Sequence, residues 1–244
     1  MDPKIIVASH KKYQMPSDDM YLLVLVGSHS SDLKIYQRDD EGKNISEKND
    51  IYCELTGLYW AYQNLSADYI GLNHYRRYFK YKDHVLRKEE AAVLLKDDMI
   101  LLPKKRHYYI ETVYSQFAHS HGRDALDKAK EVIDRYYPDY SGSFSSVMKR
   151  TSLHLYNMFI MPKAIFDDYC SFLFGVLFET EKMIDVTPRI MGYLGERLLD
   201  VYIDAKRIDY IELPVFNTER TNWPVKIFQF LLRKFRRSDS GLKI

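Results

Sequence analysis

Apolar residues in this chain fall into short runs separated by polar, turn-forming stretches, and the runs alternate between two periods. "KIIVAS" (4–9) is a β-branched run that opens onto the polar "HKKYQMPSDD", and "YLLVLVGS" (21–28) repeats the form, stopping at Gly27 and Ser28. Both predict buried strands followed by loops. After the turn-rich "QRDDEGKNIS" the period changes. Ile51, Leu55, Leu58 and Tyr62 recur at helical spacing, with Asn49, Cys53, Thr56 and Trp60 on the opposing face. One helix is predicted through "EKNDIYCELTGLYWAYQN", with Ser46 as its N-cap and Glu47 and Asp50 in its first turn. "DYIGLNHYRRYF" (68–79) returns to a short strand, but it closes on charge where a core strand would close on a turn residue.

Downstream the alternation continues. "KEEAAVLLKD" predicts a helix, "MILLPKK" a strand stopped by Pro103, and "RDALDKAKEVIDRYY" an amphipathic helix. A strand around residues 156–161 precedes a helix that starts after Pro162 and buries Phe166, Tyr169 and Leu173 on one face. "RIMGYLGERLLDVYIDA" predicts a further helix and "IDYIELPVF" a last strand. Strands alternating with helices specify an α/β domain, a central sheet with helices on both faces. Ligands of such sheets gather at the carboxyl ends of strands. The polar loops after Ser9, Gly27 and Leu72 are expected to meet there.

The last stretch follows a different pattern. Lys226, Arg233, Lys234, Arg236, Arg237 and Lys243 stand against Asp239 alone, with Val225, Ile227, Phe228, Leu231, Leu232 and Phe235 supplying an apolar face. Residues 1–222 are therefore expected to form the α/β domain, and 223–244 a basic amphipathic helix lying on an anionic membrane surface. A packed C-terminal helix with a basic tail is the alternative.

Composition narrows the function classes. Hydrophobic residues make up 46% and charged residues 29% of the 244, the balance of a soluble globular protein. The net charge is only +2, and basic residues outside the tail alternate with acids, which argues against a nucleic-acid partner. The N-terminus carries no apolar leader, "FLFGVLF" is too short to cross a bilayer, and Cys53 and Cys170 are the only cysteines. A cytoplasmic protein, peripheral at the inner face of the plasma membrane, is expected. The 21 tyrosines suit surfaces that handle sugars or bases.

"SHKKYQMP", "DDEGKNISEKNDIYCELTGLYWAYQN", "DYIGLNHYRRYF" and "GYLGERLLDVYI", in that order, resemble the bacterial glycosyltransferase-like domain of capsule and exopolysaccharide gene clusters, long catalogued as a domain of unknown function. The resemblance spans about residues 4–220. It implies a single nucleotide-sugar-transferase-like (GT-A-like) domain. The implied reaction moves a hexose, galactofuranose in some members, from a UDP-sugar donor, here to a lipid-linked polysaccharide acceptor.

Against that background the charged strand end acquires a role. Related transferases end an early strand with Asp-x-Asp, which holds a divalent metal; here His74, Tyr75 and Arg76 stand at that place. The negative charge of a leaving diphosphate can be met by fixed cations as well as by a metal, and arginine binds phosphate oxygens bidentately. No metal cofactor is therefore expected, neither Mn nor Mg, and the reaction is expected to be inverting. Strand alternation would put His74 and Arg76 on one face and Tyr75 and Arg77 on the other, leaving Arg77 as support. Asn73 joins this donor-binding set. The bland alternative is a solvated ion-pair face with a structural histidine.

The remaining candidates are more dispersed. His10, Lys11 and Lys12 can reach phosphate and Tyr13 can stack on uracil, unless "SHKKYQMP" is an ordinary surface loop. Asn44, Ser46, Lys48 and Asn49 gather at a helix N-terminus suited to anions and ribose. The pairs Asp18–Asp19 and Asp39–Asp40 read as turns. Glu196, beside the flexible Gly192 and Gly195, is the candidate base for the acceptor hydroxyl, with Arg197 bound to it or to phosphate; a surface ion pair is the alternative. His119 and His121 read as an acceptor-side loop, or with Asp124 as an extended metal chelate. Two other function classes stay open: a non-catalytic sugar-nucleotide-binding or carbohydrate-binding module, and a metal-dependent hydrolase using His119, His121 and Asp124.

Overall fold

The run "PKIIVAS" is buried on both faces because it lies between two parallel neighbours, the environment that selects continuous β-branched strands. The computed structural model describes residues 2–28, 31–33, 36–96 and 99–219, so the predicted basic tail, 223–244, lies outside the described residues. The chain begins with β1 (Pro3–Ser9), β2 (Tyr21–Leu25) and β3 (Gln37–Arg38), followed by α1 (Asn49–Tyr52), α2 (Leu55–Asn64) and β4 (Tyr69–His74). A hairpin of β5 (Arg77–Tyr81) and β6 (His84–Val85) leads to α3 (Lys88–Leu94), β7 (Ile100–Pro103) and β8 (Arg106–His107). Then come α4 (Val113–His121), α5 (Asp124–Tyr136), α6 (Ser141–Lys149), β9 (Ser152–Leu153) and β10 (Phe159–Pro162). The described chain closes with α7 (Lys163–Glu181), α8 (Ile190–Lys206), β11 (Tyr210–Leu213) and β12 (Val215–Asn217).

The central sheet runs β3-β2-β1-β4-β10-β7-β11. The strands from β3 to β4 pair in parallel, β10 is antiparallel to both its neighbours, and β11 is parallel to β7. This is the expected mixed α/β sheet flanked by helices. Alternation along β1 divides the core. Ile6 and Ala8 join a cluster built from α2, α5, α7 and α8, and Ile5 and Val7 join one with Tyr78, Phe79, Ala91 and Leu95 from the β5–β6 side and α3. Phe166, Tyr169 and Leu173 are fully buried on α7, as their spacing predicts. Among the described residues no helix is long and apolar enough to cross a membrane.

Neighbouring strands approach β4 closely. A Cβ on Gly71 would lie 2.8 Å from the Phe159 carbonyl oxygen and 2.9 Å from Ile160 Cγ1. Backbone cannot swing aside as a side-chain tip can, so Gly71→Ala is expected to cost about 1–3 kcal/mol in urea unfolding. A cost below a few tenths would show that β10 can shift.

Two local expectations are corrected. The predicted helix from Ser46 is interrupted: Cys53 takes φ 54° and ψ −130°, which ends α1 and lets α2 start again at Leu55. Ser46 caps nothing, since its hydroxyl donates to Asp39 Oδ1 at 2.5 Å. The strand expected from residue 156 begins only at Phe159, because Tyr156 and Asn157 both adopt positive φ (77° and 52°).

Candidate active site

The carboxyl ends of β4, β1 and β2 lie side by side, so the loops after them converge. β4 does not run on through its charged end. It turns at Tyr75 and Arg76, and Arg77 returns in β5 paired with His74. Directly opposed residues of an antiparallel pair project to the same side. The alternation predicted for 74–77 is therefore overturned, and His74 shares its face with Arg77. Tyr75 is buried (3% exposed) and becomes a hub. The rings of His10 and Tyr13 each meet it at 5.4 Å between centroids, and Lys11 Nζ lies 4.7 Å from its centroid. Arg76 and Lys11 both approach Glu219, at 3.7 and 3.4 Å. The Arg77 guanidinium stacks over Tyr156 at 4.2 Å.

The histidines here are not sources of charge. Burial, then Arg76 and Arg77, pull the His74 imidazole down to about 3, and burial with Lys11 and Arg76 lowers His10. At neutral pH the positive charge of this end comes from the arginines and Lys11, and a neutral His74 can meet a ligand only through hydrogen bonds. Several polar atoms are left buried without a partner: both amide atoms of Asn73 (1% exposed), His74 Nδ1 and Arg76 Nε. Each such group costs about 1–3 kcal/mol unless water or a ligand satisfies it.

The other wall is acidic. Breaking the helix at Cys53 places Glu54 beside the loop before β10, where Asn157 Nδ2 donates to Glu54 Oε1 at 2.8 Å. Burial foremost, and the charge of Glu196, raise the Glu54 carboxyl, partly opposed by the Asn157 hydrogen bond. Glu196 Oε1 accepts from the Tyr156 amide at 3.1 Å and its Oε2 from Arg197 Nη1 at 2.8 Å. The glycines of α8 let it approach rather than flex: a Cβ on Gly195 would stand 2.8 Å from Leu55 Cδ1. Cys53, Tyr156, Asn157 and Arg189 all have positive φ, and they surround this carboxylate pair. Such conformations cost about 1–3 kcal/mol each and concentrate at functional sites.

Two buried networks hold these parts. Asp39, fully buried, accepts from the amides of Gly27 (2.9 Å) and Ser28 (3.0 Å) and from the hydroxyls of Ser28 (2.7 Å), Ser46 (2.5 Å) and Thr56 (2.6 Å). It lies in the turn that the sequence predicts, and from there ties the loop after β2 to the broken helix. His154 sits between Asp200 and Glu212, with Nδ1 against Asp200 and Nε2 3.0 Å from Glu212. That clamp fixes the segment leading to Tyr156 and Asn157.

Other sequence-predicted residues fall elsewhere. Lys48 is tied to Glu181 of α7 at 2.8 Å. Asn44 donates to the carbonyls of Asp40 and Gly42 and shapes a loop. Asn49 donates to the Cys53 carbonyl and to Thr56 Oγ1, and so secures the break. Arg197, 3% exposed, donates to Glu196, Gln116 and the Tyr193 carbonyl and so holds the carboxylate, one of the two roles expected of it. His119 and His121 lie on a helix, where positions two apart do not face each other, so the extended chelate is overturned. His119 pairs with Glu111 at 2.7 Å, and His121 stacks on Tyr193 with centroids 4.0 Å apart. Among the described residues no three His, Cys, Asp or Glu side chains are grouped to hold a metal ion, and His119, His121 and Asp124 form no such set.

Glu54 is the site residue that the sequence hides. Ile51, Leu55 and Leu58 keep helical spacing across the break, so periodicity gives no sign of it.

With this geometry in place, comparison with known proteins adds two findings. The profile of a family described only as a domain of unknown function, DUF4422, matches residues 4–207. The apo structure of WbbM, a bifunctional glycosyltransferase, is similar at a TM-score of 0.81 and 27% identity, over 90% of this chain and 46% of that one. The chain thus spans less than half the length of that protein. No curated protein matches it.

Proposed function

The chain belongs to the DUF4422 family, and from its likeness to a bifunctional glycosyltransferase and from its charged cleft we propose that it is itself a glycosyltransferase. It moves a hexose, galactofuranose being one candidate, from a UDP-sugar to a lipid-linked polysaccharide acceptor at the inner face of the membrane. The observation that carries this reading is a juxtaposition of charge at the carboxyl end of β4, where Arg77 feels Arg76 on one side and Glu54 and Glu196 on the other.

The cationic wall suits a diphosphate, which brings to Lys11 and Arg76 the same charge that Glu219 supplies now. Tyr13 and His10, edge-on to Tyr75, offer faces for the base, and Asn73 offers unsatisfied amide atoms. A divalent metal does not suit this strand end: Arg76 cannot ligate, Arg77 adds repulsion, and the Tyr75 ring is packed inside. The fixed arginines therefore stabilise the leaving diphosphate, and the acidic wall takes the acceptor's proton with inversion at the anomeric carbon. Tyr109 and Ile110, 89% and 73% exposed beside Lys104 and Arg106, lie next to Tyr108, which feels the charges of Arg197 and Glu196. An apolar, basic rim there suits a lipid-linked acceptor.

A thermal-shift panel of UDP-sugars, pyranose and furanose, with and without chelator, tests the donor. Ligand at a hundred times its Kd stabilises by about 2.7 kcal/mol, so the matching donor should raise the unfolding temperature by several degrees, chelator present or not. Stabilisation seen only with added manganese would contradict the metal-independent mechanism.

A further inference from the structure

The cleft contains two carboxylates, and they are held differently. Both oxygens of Glu196 are committed, one to the Tyr156 amide and one to Arg197, itself buried and anchored to Gln116. Glu196 thus accepts a hydrogen bond at each oxygen, one of them from a guanidinium that compensates its charge and fixes its orientation. Glu54 is held through one oxygen by a neutral amide, Asn157, whose own Oδ1 is buried without a partner. The strained Cys53 backbone exists at the point that turns Glu54 out of the helical register and into the cleft.

We infer that Glu54 is the catalytic base of the transfer, and that Glu196, Asn157 and Arg197 position it. The inference rests on the transferase reading. Glu54 takes the proton of the acceptor hydroxyl as that oxygen bonds to the anomeric carbon; the bond from that carbon to the diphosphate oxygen breaks, and its electron pair leaves with UDP. The proton stays on Glu54 until solvent removes it. The charged and titratable groups facing Glu54 are Glu196 from α8, Arg189 just before it, Arg77 from β5, Tyr156 from the loop before β10, and Cys53 in its own turn. Burial and Glu196 raise its carboxyl above the ordinary range, toward the pH at which a base works best. A base must be ionised, so activity should fall as pH drops through that raised value.

The experiment follows UDP release from UDP-galactofuranose and UDP-galactopyranose with octyl β-galactoside as acceptor. It compares wild type, Glu54→Gln, Glu54→Asp and Glu196→Gln, with UDP affinity and thermal unfolding measured for each. Glu54→Gln should lower kcat by about 10²–10⁴-fold at unchanged UDP affinity and abolish the acid limb of kcat/KM. Glu54→Asp should keep partial activity with a displaced limb, and Glu196→Gln should leave a limb. The folded-state carboxyl is raised, so the ionised form opposes folding: Glu54→Gln should unfold at a higher temperature than wild type near neutral pH, a gain that shrinks as pH falls through the raised value. Glu54→Gln turning over within threefold of wild type, or Glu54→Asp with an unmoved limb should the Gln variant not fold, overturns the inference. A wild type that binds UDP but releases none from either donor overturns the transferase reading, and this assignment with it.

Discussion

Replacing Arg77 with Ala is expected to slow sugar transfer by about 10²–10³-fold, the effect of removing one preorganised donor from a developing negative charge. Arg77 is paired with His74 across the hairpin, lies over Tyr156 at 4.2 Å, and stands between the cationic and acidic walls. Arg76 and Lys11 point to Glu219, and Arg189 is the other cation that reaches both His74 and Glu54. Arg77→Lys should recover only a small part, because a lysine cannot reproduce the planar fork. Stability should fall by no more than about 2 kcal/mol, the scale of a desolvated cation–π contact. Single-turnover rates at saturating donor test this, and a rate within threefold of wild type would remove Arg77 from the mechanism.

A second large effect is expected far from any substrate. Asp39→Ala should cost about 3–5 kcal/mol, because it removes the acceptor of five donations, from the amides of Gly27 and Ser28 and the hydroxyls of Ser28, Ser46 and Thr56, each worth about 1–3 kcal/mol before water or other partners recover part. Asp39 ties the loop after β2 to the start of α2, so the loss should be accompanied by a drop in kcat as Glu54 loses its register. Asp39→Asn, which keeps one acceptor oxygen, should fall between. Urea unfolding gives the number directly; a loss below about 1 kcal/mol would mean the network is not the tie described.

The strands and long helices were legible in the sequence because burial alone dictates their patterns. Ile5, Ile6 and Val7 need two covered faces, and Phe166, Tyr169 and Leu173 need one. The converging loops were legible for the same reason, since topology follows from alternation. The cleft's chemistry was legible only in part. His10, Lys11, Tyr13, His74, Arg76, Arg77 and Glu196 come together as the motifs suggest, and Arg197 binds Glu196, one of its two expected roles, while Lys48 pairs with Glu181. What periodicity could not carry is backbone that departs from its period. The turn at Tyr75 and Arg76 brings Arg77 to the face of His74, and the break at Cys53 brings out Glu54; neither leaves a mark in the periodicity. α6 was hidden in the same way, its "SGSFSS" polar in composition and helical because Phe144, Val147 and Met148 find a core.

The central claim is that fixed cations at the β4–β5 turn hold a diphosphate without a metal. The most direct measurement is the affinity of UDP and of uridine by calorimetry in excess chelator, for wild type and for Arg76→Ala and Arg77→Ala. The account predicts that wild type prefers UDP over uridine by well over tenfold, and that each variant loses about 10- to 100-fold in UDP affinity, the value of a charge-assisted hydrogen bond, while uridine affinity stays put. Equal affinity of wild type for UDP and uridine in chelator, or UDP binding indifferent to both arginines, would contradict it.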